Sequence, residues 1–326
     1  MKRFKNILFV KEQADACETA LERAVTLAQD NQASLTVIDV VEPMPTGFSA
    51  IPKGYTSKTL RQAIIDERQD QLTHLVAFAR KKMKLDSHVL YGIPYLEVTR
   101  KVLRDGHDLV IKPAYNSGGL KTRLFGGTDL HLLRKCPVPV WLMKMTQSGK
   151  FQKILATVDI NEAEDKEENQ DALSLKILEL SSSLALAEFG ELHIAHAWQA
   201  VGESLLRSGR GGISAAEVNE YVRKEEARHR RWVETLYQTA VQTLSKDALN
   251  YLKPQIHLPK GSAREVIPTL VQDSDIDLVV MGTVARTGIP GFFMGNTAEM
   301  IINNINCSVL AVKPEGFVTP VTLEDE

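Results

Sequence analysis

The residues best suited to chemistry lie near the end of the chain. After an apolar run comes Gly282-Thr283-Val284-Ala285-Arg286-Thr287-Gly288, then Gly291, then Gly295-Asn296-Thr297 at the start of an expected helix. Glycines let a backbone approach a ligand closely, and the free N–H groups of a helix N-terminus suit phosphate. Phosphate recognition is therefore the chemistry this loop suggests, although a tight turn and helix cap without ligand would use the same residue types.

Other candidates read as structural. His193 and His196 stand at i and i+3 on an expected strand and face opposite sides, which suits sheet positions better than a metal pair. Arg223, Lys224, Arg228, Arg230 and Arg231 are interleaved with Glu220, Glu225, Glu226 and Glu234, the pattern of a solvated helix face. Cys17, Cys136 and Cys307 are odd in number with no CxxC spacing, so they indicate neither a disulfide framework nor a zinc site. No G-x-S-x-G elbow, HExxH or complete P-loop occurs, and nothing nominates a nucleophile.

The elements that must position the loop are written twice. Gly126-Gly127-Thr128-Asp129-Leu130 is answered by Gly295-Asn296-Thr297-Ala298-Glu299, and His107-Asp108-Leu109-Val110-Ile111 by Ile276-Asp277-Leu278-Val279-Val280, each 169 residues later. Such a repeat implies two copies of one domain. Asn6 to Val10 and Lys153 to Val158 are short apolar runs of the kind found in parallel sheets covered on both faces. Leu173, Ile177, Leu180 and Leu184 form one helical stripe, and Leu21, Val25 and Ala28 do the same in the first copy. Further strands are expected at Leu35 to Val40 and Leu192 to Ala197, with long helices near Thr59 to Met83 and Ser214 to Leu244. Strands alternating with helices predict an α/β fold of two tandem, doubly wound parallel-sheet domains, Rossmann-like in pattern.

These limits give a first domain over 1–147, a second over 151–314 and an acidic tail over 315–326, expected to fray. The second copy carries an acidic insert, Asn161 to Asp171, and a polar stretch, Ser208 to Gly212. The net charge of −2 supplies no general attraction to nucleic acid or anionic membranes, and no direct nucleic-acid binding is expected. The start is too short in apolar residues for a signal peptide and no run is long enough for a membrane span, so a cytoplasmic location is expected.

With these motifs in hand, the sequence resembles the universal stress protein family, whose nucleotide-binding members carry G-x2-G-x9-G-(S/T) after the fourth strand. Thr128 to Pro137, Gly282 to Ile289 and Gly295 to Glu299 carry the likeness. It covers both halves and is most like the tandem-domain E subfamily. The resemblance implies an adenine nucleotide alpha hydrolase-like fold and ATP or AMP as the ligand class. It also implies an acidic residue near the adenosine at the end of the first strand, a place held by Glu12 and Asp159. The second half matches the loop in part: Gly282 and Gly295 are kept, Ala285 replaces the second glycine and Asn296 the Ser/Thr, still offering an N-cap. In the first half Pro113, Asn116 and Gly127 stand at three of the four places, leaving Gly126, and Asp129 in the first helical turn would repel a phosphate. The expected binding residues are thus Asp159, Gly282, Thr283, Ala285, Arg286, Gly288, Gly295, Asn296 and Thr297.

The function the resemblance implies is a non-enzymatic stress protein, including survival under DNA-damaging conditions, with a small-ligand site in the second half. Slow ATP hydrolysis is one alternative. Another is a lipid-like ligand under the long second-half helix near Tyr221, Trp232, Leu236 and Tyr237, or an interaction scaffold. The last strands, Val138 to Met143 and Val309 to Val312, are expected to pair the two halves within one chain, and a homodimer is left open.

Overall fold

The computed structural model describes residues 4–12, 17–44, 56–114, 125–144, 150–159, 168–208, 212–284 and 294–323, with side chains described from 172 onward in the stretch that opens at 168. In the first half, strands β1 (Asn6–Val10), β2 (Ser34–Val41), β3 (Asp86–Tyr91), β4 (Leu109–Pro113) and β5 (Val140–Met143) alternate with helices α1 (Cys17–Asn31), α2 (Ser57–Lys82), α3 (Pro94–Asp105) and α4 (Gly127–Lys135). The second half repeats this as β6 (Lys153–Thr157), α5 (Glu168–Glu188), β7 (Glu191–Ala195), α6 (Glu203–Arg207), α7 (Ala215–Val241), α8 (Lys246–Leu252), β8 (Gln255–His257), α9 (Ala263–Asp273), β9 (Leu278–Gly282), α10 (Asn296–Asn304) and β10 (Ser308–Val312). The long helices begin at side-chain caps. Thr56 accepts from the backbone N–H of Thr59, and Ser214 from that of Glu217, whose carboxylate returns to the Ser214 N–H at 2.9 Å. Each cap satisfies backbone donors that the first turn leaves open.

All ten strands form one sheet in the order β3-β2-β1-β4-β5-β10-β9-β6-β7-β8. Within each half every pairing is parallel, and only β5 and β10 run antiparallel, with Leu142 opposite Val309, Trp141 opposite Leu310 and Val140 opposite Ala311. Trp141 and Leu310 are repeat counterparts, 169 residues apart, so a local two-fold axis passes between them. The seam is tied further by the Ser308 hydroxyl, which accepts from Lys144 N–H (2.9 Å) and donates to its carbonyl (3.0 Å). This pairing removes both free edges that β5 and β10 would otherwise expose.

Both faces of the sheet are covered. One face packs Ile7, Phe9, Trp141, Ile154, Val280 and Leu310 under α1, α2, α5 and α7. The other packs Leu8, Val110, Leu142, Leu155, Val279 and Val309 under α3, α4, α9 and α10. Continuous apolar strands are what two-sided burial demands. Each face runs unbroken from one half to the other across the seam.

The described part of the tail, up to residue 323, departs from the expectation of fraying. Residues 314–323 run from β10 to the first half, where Val321 is buried near Leu96, Arg100 and Lys135, and the Thr322 carbonyl accepts from Arg100 Nε at 3.4 Å. The reason is a single apolar side chain with a place to be buried. Residues 161–167 of the acidic insert and 209–211 of the polar stretch lie outside the described residues. Among the described residues, no helix is long and apolar enough to cross a membrane.

Candidate functional site

Strand β6 has β7 on one side and β9 on the other, so the winding of the second half reverses between β6 and β9. Open α/β sheets place ligands beyond the carboxyl ends of the strands at such a point. A cleft of about 510 Å³ lies there, and Asp159, Gly282, Gly295, Asn296 and Thr297 line it. Ser174, which no sequence motif marked, joins them and donates from its hydroxyl to the Asp159 carbonyl at 2.9 Å. The remaining walls are apolar: Leu173 and Ile177 from α5, Ile267 from α9, Met281 from β9 and Ile301 from α10. Polar groups at the rim of an apolar cleft orient a ligand whose body is buried.

The two glycines do different work. A Cβ built on Gly282 would stand 2.9 Å from Leu173 Cδ2, so the absent side chain lets α5 close onto the strand end. Gly295 is the N-cap of α10, and its N–H donates to the Thr283 carbonyl at 3.0 Å. Asn296, expected as the cap, is instead the first helical residue.

Thr283 does not face the cleft. Its side chain is buried at the seam, donating to the Leu133 carbonyl at 3.3 Å and accepting from Lys313 Nζ at 2.9 Å. Beyond it Val284 pairs with Met294, so the chain doubles back before α10 begins. Lys313 also donates to the Leu133 carbonyl, and burial pulls its pKa down to about 8. Ala285, Arg286 and Gly288 lie outside the described residues, as does Asn116 of the first half.

The same place in the first half is filled by charge. Lys112, Glu12 and Asp129 meet there, with Lys112 Nζ 2.9 Å from Asp129 Oδ1 and in contact with Glu12. Burial works against the Lys112 ammonium, but Asp129 and Glu12 more than reverse it and raise its pKa. Asp129 also accepts from the Gly126 N–H at 2.9 Å, so it caps α4 as well as pairing Lys112. The sequence marked Asp129 and Glu12, whereas Lys112 sits inside an apolar run with nothing to single it out.

The histidines, cysteines and tyrosines of the second half and seam make contacts of their own. His193 is hydrogen-bonded to His257 at 2.9 Å, and His196 donates from Nδ1 to the Val158 carbonyl while its other nitrogen meets His229 at 3.0 Å. Among the described residues no group of three or more metal-ligating side chains is assembled. Burial pushes the thiols of Cys136 and Cys307 up to about 11 and about 12, which keeps them protonated and unreactive. Tyr237 is core packing, and the Tyr221 hydroxyl donates to the Val201 carbonyl at 2.9 Å. The apolar walls near the site come instead from α5, α9 and α10.

Comparison with known proteins agrees with this architecture. The model of the universal stress protein family matches residues 3–144 and again 150–313. The chain belongs to the universal stress protein family. It is 31% identical to universal stress protein E of Escherichia coli K12, covering 100% of this chain and 99% of that one, and 26% identical to universal stress protein E of Photorhabdus laumondii over the full length of both. Among solved structures, a functionally unknown protein of Pseudomonas aeruginosa PAO1 superposes with a TM-score of 0.60 at 22% identity, covering 96% of this chain and 93% of that one. A universal stress protein of Archaeoglobus fulgidus gives 0.58 at 14% identity, with 94% and 98% covered. At these identities the structures speak to the fold alone. The two universal stress domains therefore share one fold and differ in what their strand ends hold.

Proposed function

We propose that the C-terminal universal stress domain binds an adenine nucleotide, ATP or AMP, without turning it over, and that the chain supports stress resistance in the cytoplasm, survival of DNA damage included, through that bound state. The observation that carries this reading is the meeting of Asp159, Gly282 and the Gly295 to Thr297 helix start at the point where the strand winding reverses. The cleft volume falls within the range of roughly 300–1,000 Å³ typical of small-molecule sites. Titration with ATP and with AMP, read by native mass spectrometry, is expected to give one nucleotide per chain, lost on replacing Gly295 by valine. Absence of any nucleotide complex would overturn the reading. Magnesium-dependent turnover that disappears in the same variant would turn the assignment to slow ATP hydrolysis.

The wall chemistry favours a second reading. Leu173, Ile177, Ile267, Met281 and Ile301 present a continuous apolar surface that also suits a lipid-like ligand. A lipid-like mass carried by freshly purified protein, displaced by neither nucleotide, would favour that reading over the first.

A further inference from the structure

The C-terminal cleft is lined by Asp159, Met281 and Ala298. Their counterparts in the repeat are Glu12, Lys112 and Asp129. All three cleft positions are thus ionic in the N-terminal half, and the two carboxylates converge on a single ammonium group. Lys112 and Asp129 are both almost wholly buried, and Glu12 closes the group from the strand end.

We propose that Glu12, Lys112 and Asp129 form an internal plug that occupies in the N-terminal half the space the C-terminal half leaves to a ligand, so that one strand-end cleft is open and its repeat counterpart latent. The biological meaning of the plug rests on the C-terminal cleft being the ligand site, but its geometry does not. Lys112 projects from β4 on the face covered by α4, as Met281 does from β9 under α10. A buried ammonium keeps its charge most readily with carboxylates beside it, and a buried carboxylate needs a cation or donors. The set is therefore interdependent: Met281 and Ala298 remove the cation and its buried partner together. Asp129 adds a second block, because its other oxygen takes the Gly126 N–H that would greet an anion at the start of α4.

The decisive experiment exchanges the set. A variant carrying E12D, K112M and D129A gives the first half the residues of the second, and crystals of it and of the native chain are exposed to xenon, which enters empty apolar cavities. Xenon is expected between β1, β4 and the start of α4 in the variant and not in the native protein. A variant that takes up no xenon there, or a native chain that already does, overturns the plug. The reciprocal variant D159E/M281K/A298D is expected to weaken AMP binding at least 100-fold. If the native chain binds no AMP, the nucleotide reading fails while the xenon result still decides the plug. Should the triple variant not fold, K112M alone is compared with K112M/D129A in urea. The single change takes the cation away from the buried Asp129 and is expected to shift the unfolding equilibrium by about 100-fold or more. The double variant is expected to recover most of that, and a simple sum of losses would overturn the proposal.

Discussion

The strand ends of the two halves are built from the same elements, β1, β4 and α4 in one and β6, β9 and α10 in the other, and they reach opposite solutions. In the N-terminal half Lys112 reaches from β4 to Asp129 on α4 and to Glu12 beyond β1. In the C-terminal half Met281 and Ala298 leave an apolar cleft with Asp159 on its rim. Duplication has kept the scaffold while a few side chains settled whether the space between strand and helix is filled by protein or left open. Two domains can thus share the same strands and covering helices while their strand ends are filled by different chemistry.

The largest effect expected from breaking this contrast concerns the buried lysines, whose environments are opposite. Lys112 is paired, with its pKa raised, so its contribution is fully present below the unfolded value near 10.4 and is lost as pH rises through the folded one. Lys313 is held at the seam with its pKa pulled down to about 8. Between pH 8 and roughly 10.4 the unfolded chain therefore binds more protons at this site, and stability rises with pH. The full swing is about 3 kcal/mol for a shift of this size. Urea midpoints of the native chain and Lys313→Met, measured from pH 7.5 to 10.5, are expected to differ by that slope, and parallel curves would remove the contrast between Lys112 and Lys313.

A smaller effect is expected at the strand end. Pro113 fills in the first half the place that Gly282 keeps bare in the second, where a Cβ would press on Leu173. Gly282→Val is expected to cost about 1–3 kcal/mol by overpacking α5 against β9 and to narrow the cleft. Chemical denaturation together with AMP titration checks both parts. Unchanged stability would mean that Leu173 yields without cost.

The smallest effect belongs to the tie between the halves on the surface. Arg134 on α4 meets Glu299 on α10 at 2.6 Å, with both side chains about a third exposed. Glu299→Gln is expected to cost no more than about 1 kcal/mol in thermal unfolding. A larger loss would show that the two domains are held by surface charge as well as by the β5–β10 pairing.

Much of this was legible in residue spacing. The 169-residue repeat, the apolar runs of β1 and β6 and the stripe Leu173, Ile177, Leu180 and Leu184 all appear where expected, and Gly282 and Gly295 lie at the strand end. Less visible was the direction of individual side chains. Thr283 sits in the expected motif yet turns to Lys313, because the chain folds back through the Val284–Met294 bridge. Ser174 joins the rim from a helix whose pattern spoke only of packing. Val321 anchors a segment whose composition suggested fraying.

By itself, then, the sequence determined two α/β universal stress domains and marked Gly282 and Gly295 near the strand ends of the second. Backbone hydrogen bonding and one-sided burial are local rules, and they leave periodic marks along a chain. The tertiary structure alone decided that Glu12, Lys112 and Asp129 share one site, that Thr283 serves the seam, and that α5, α9 and α10 wall a single cleft. Charge pairing and side-chain burial depend on distance through space, and residues about a hundred positions apart carry no local sign that they will touch.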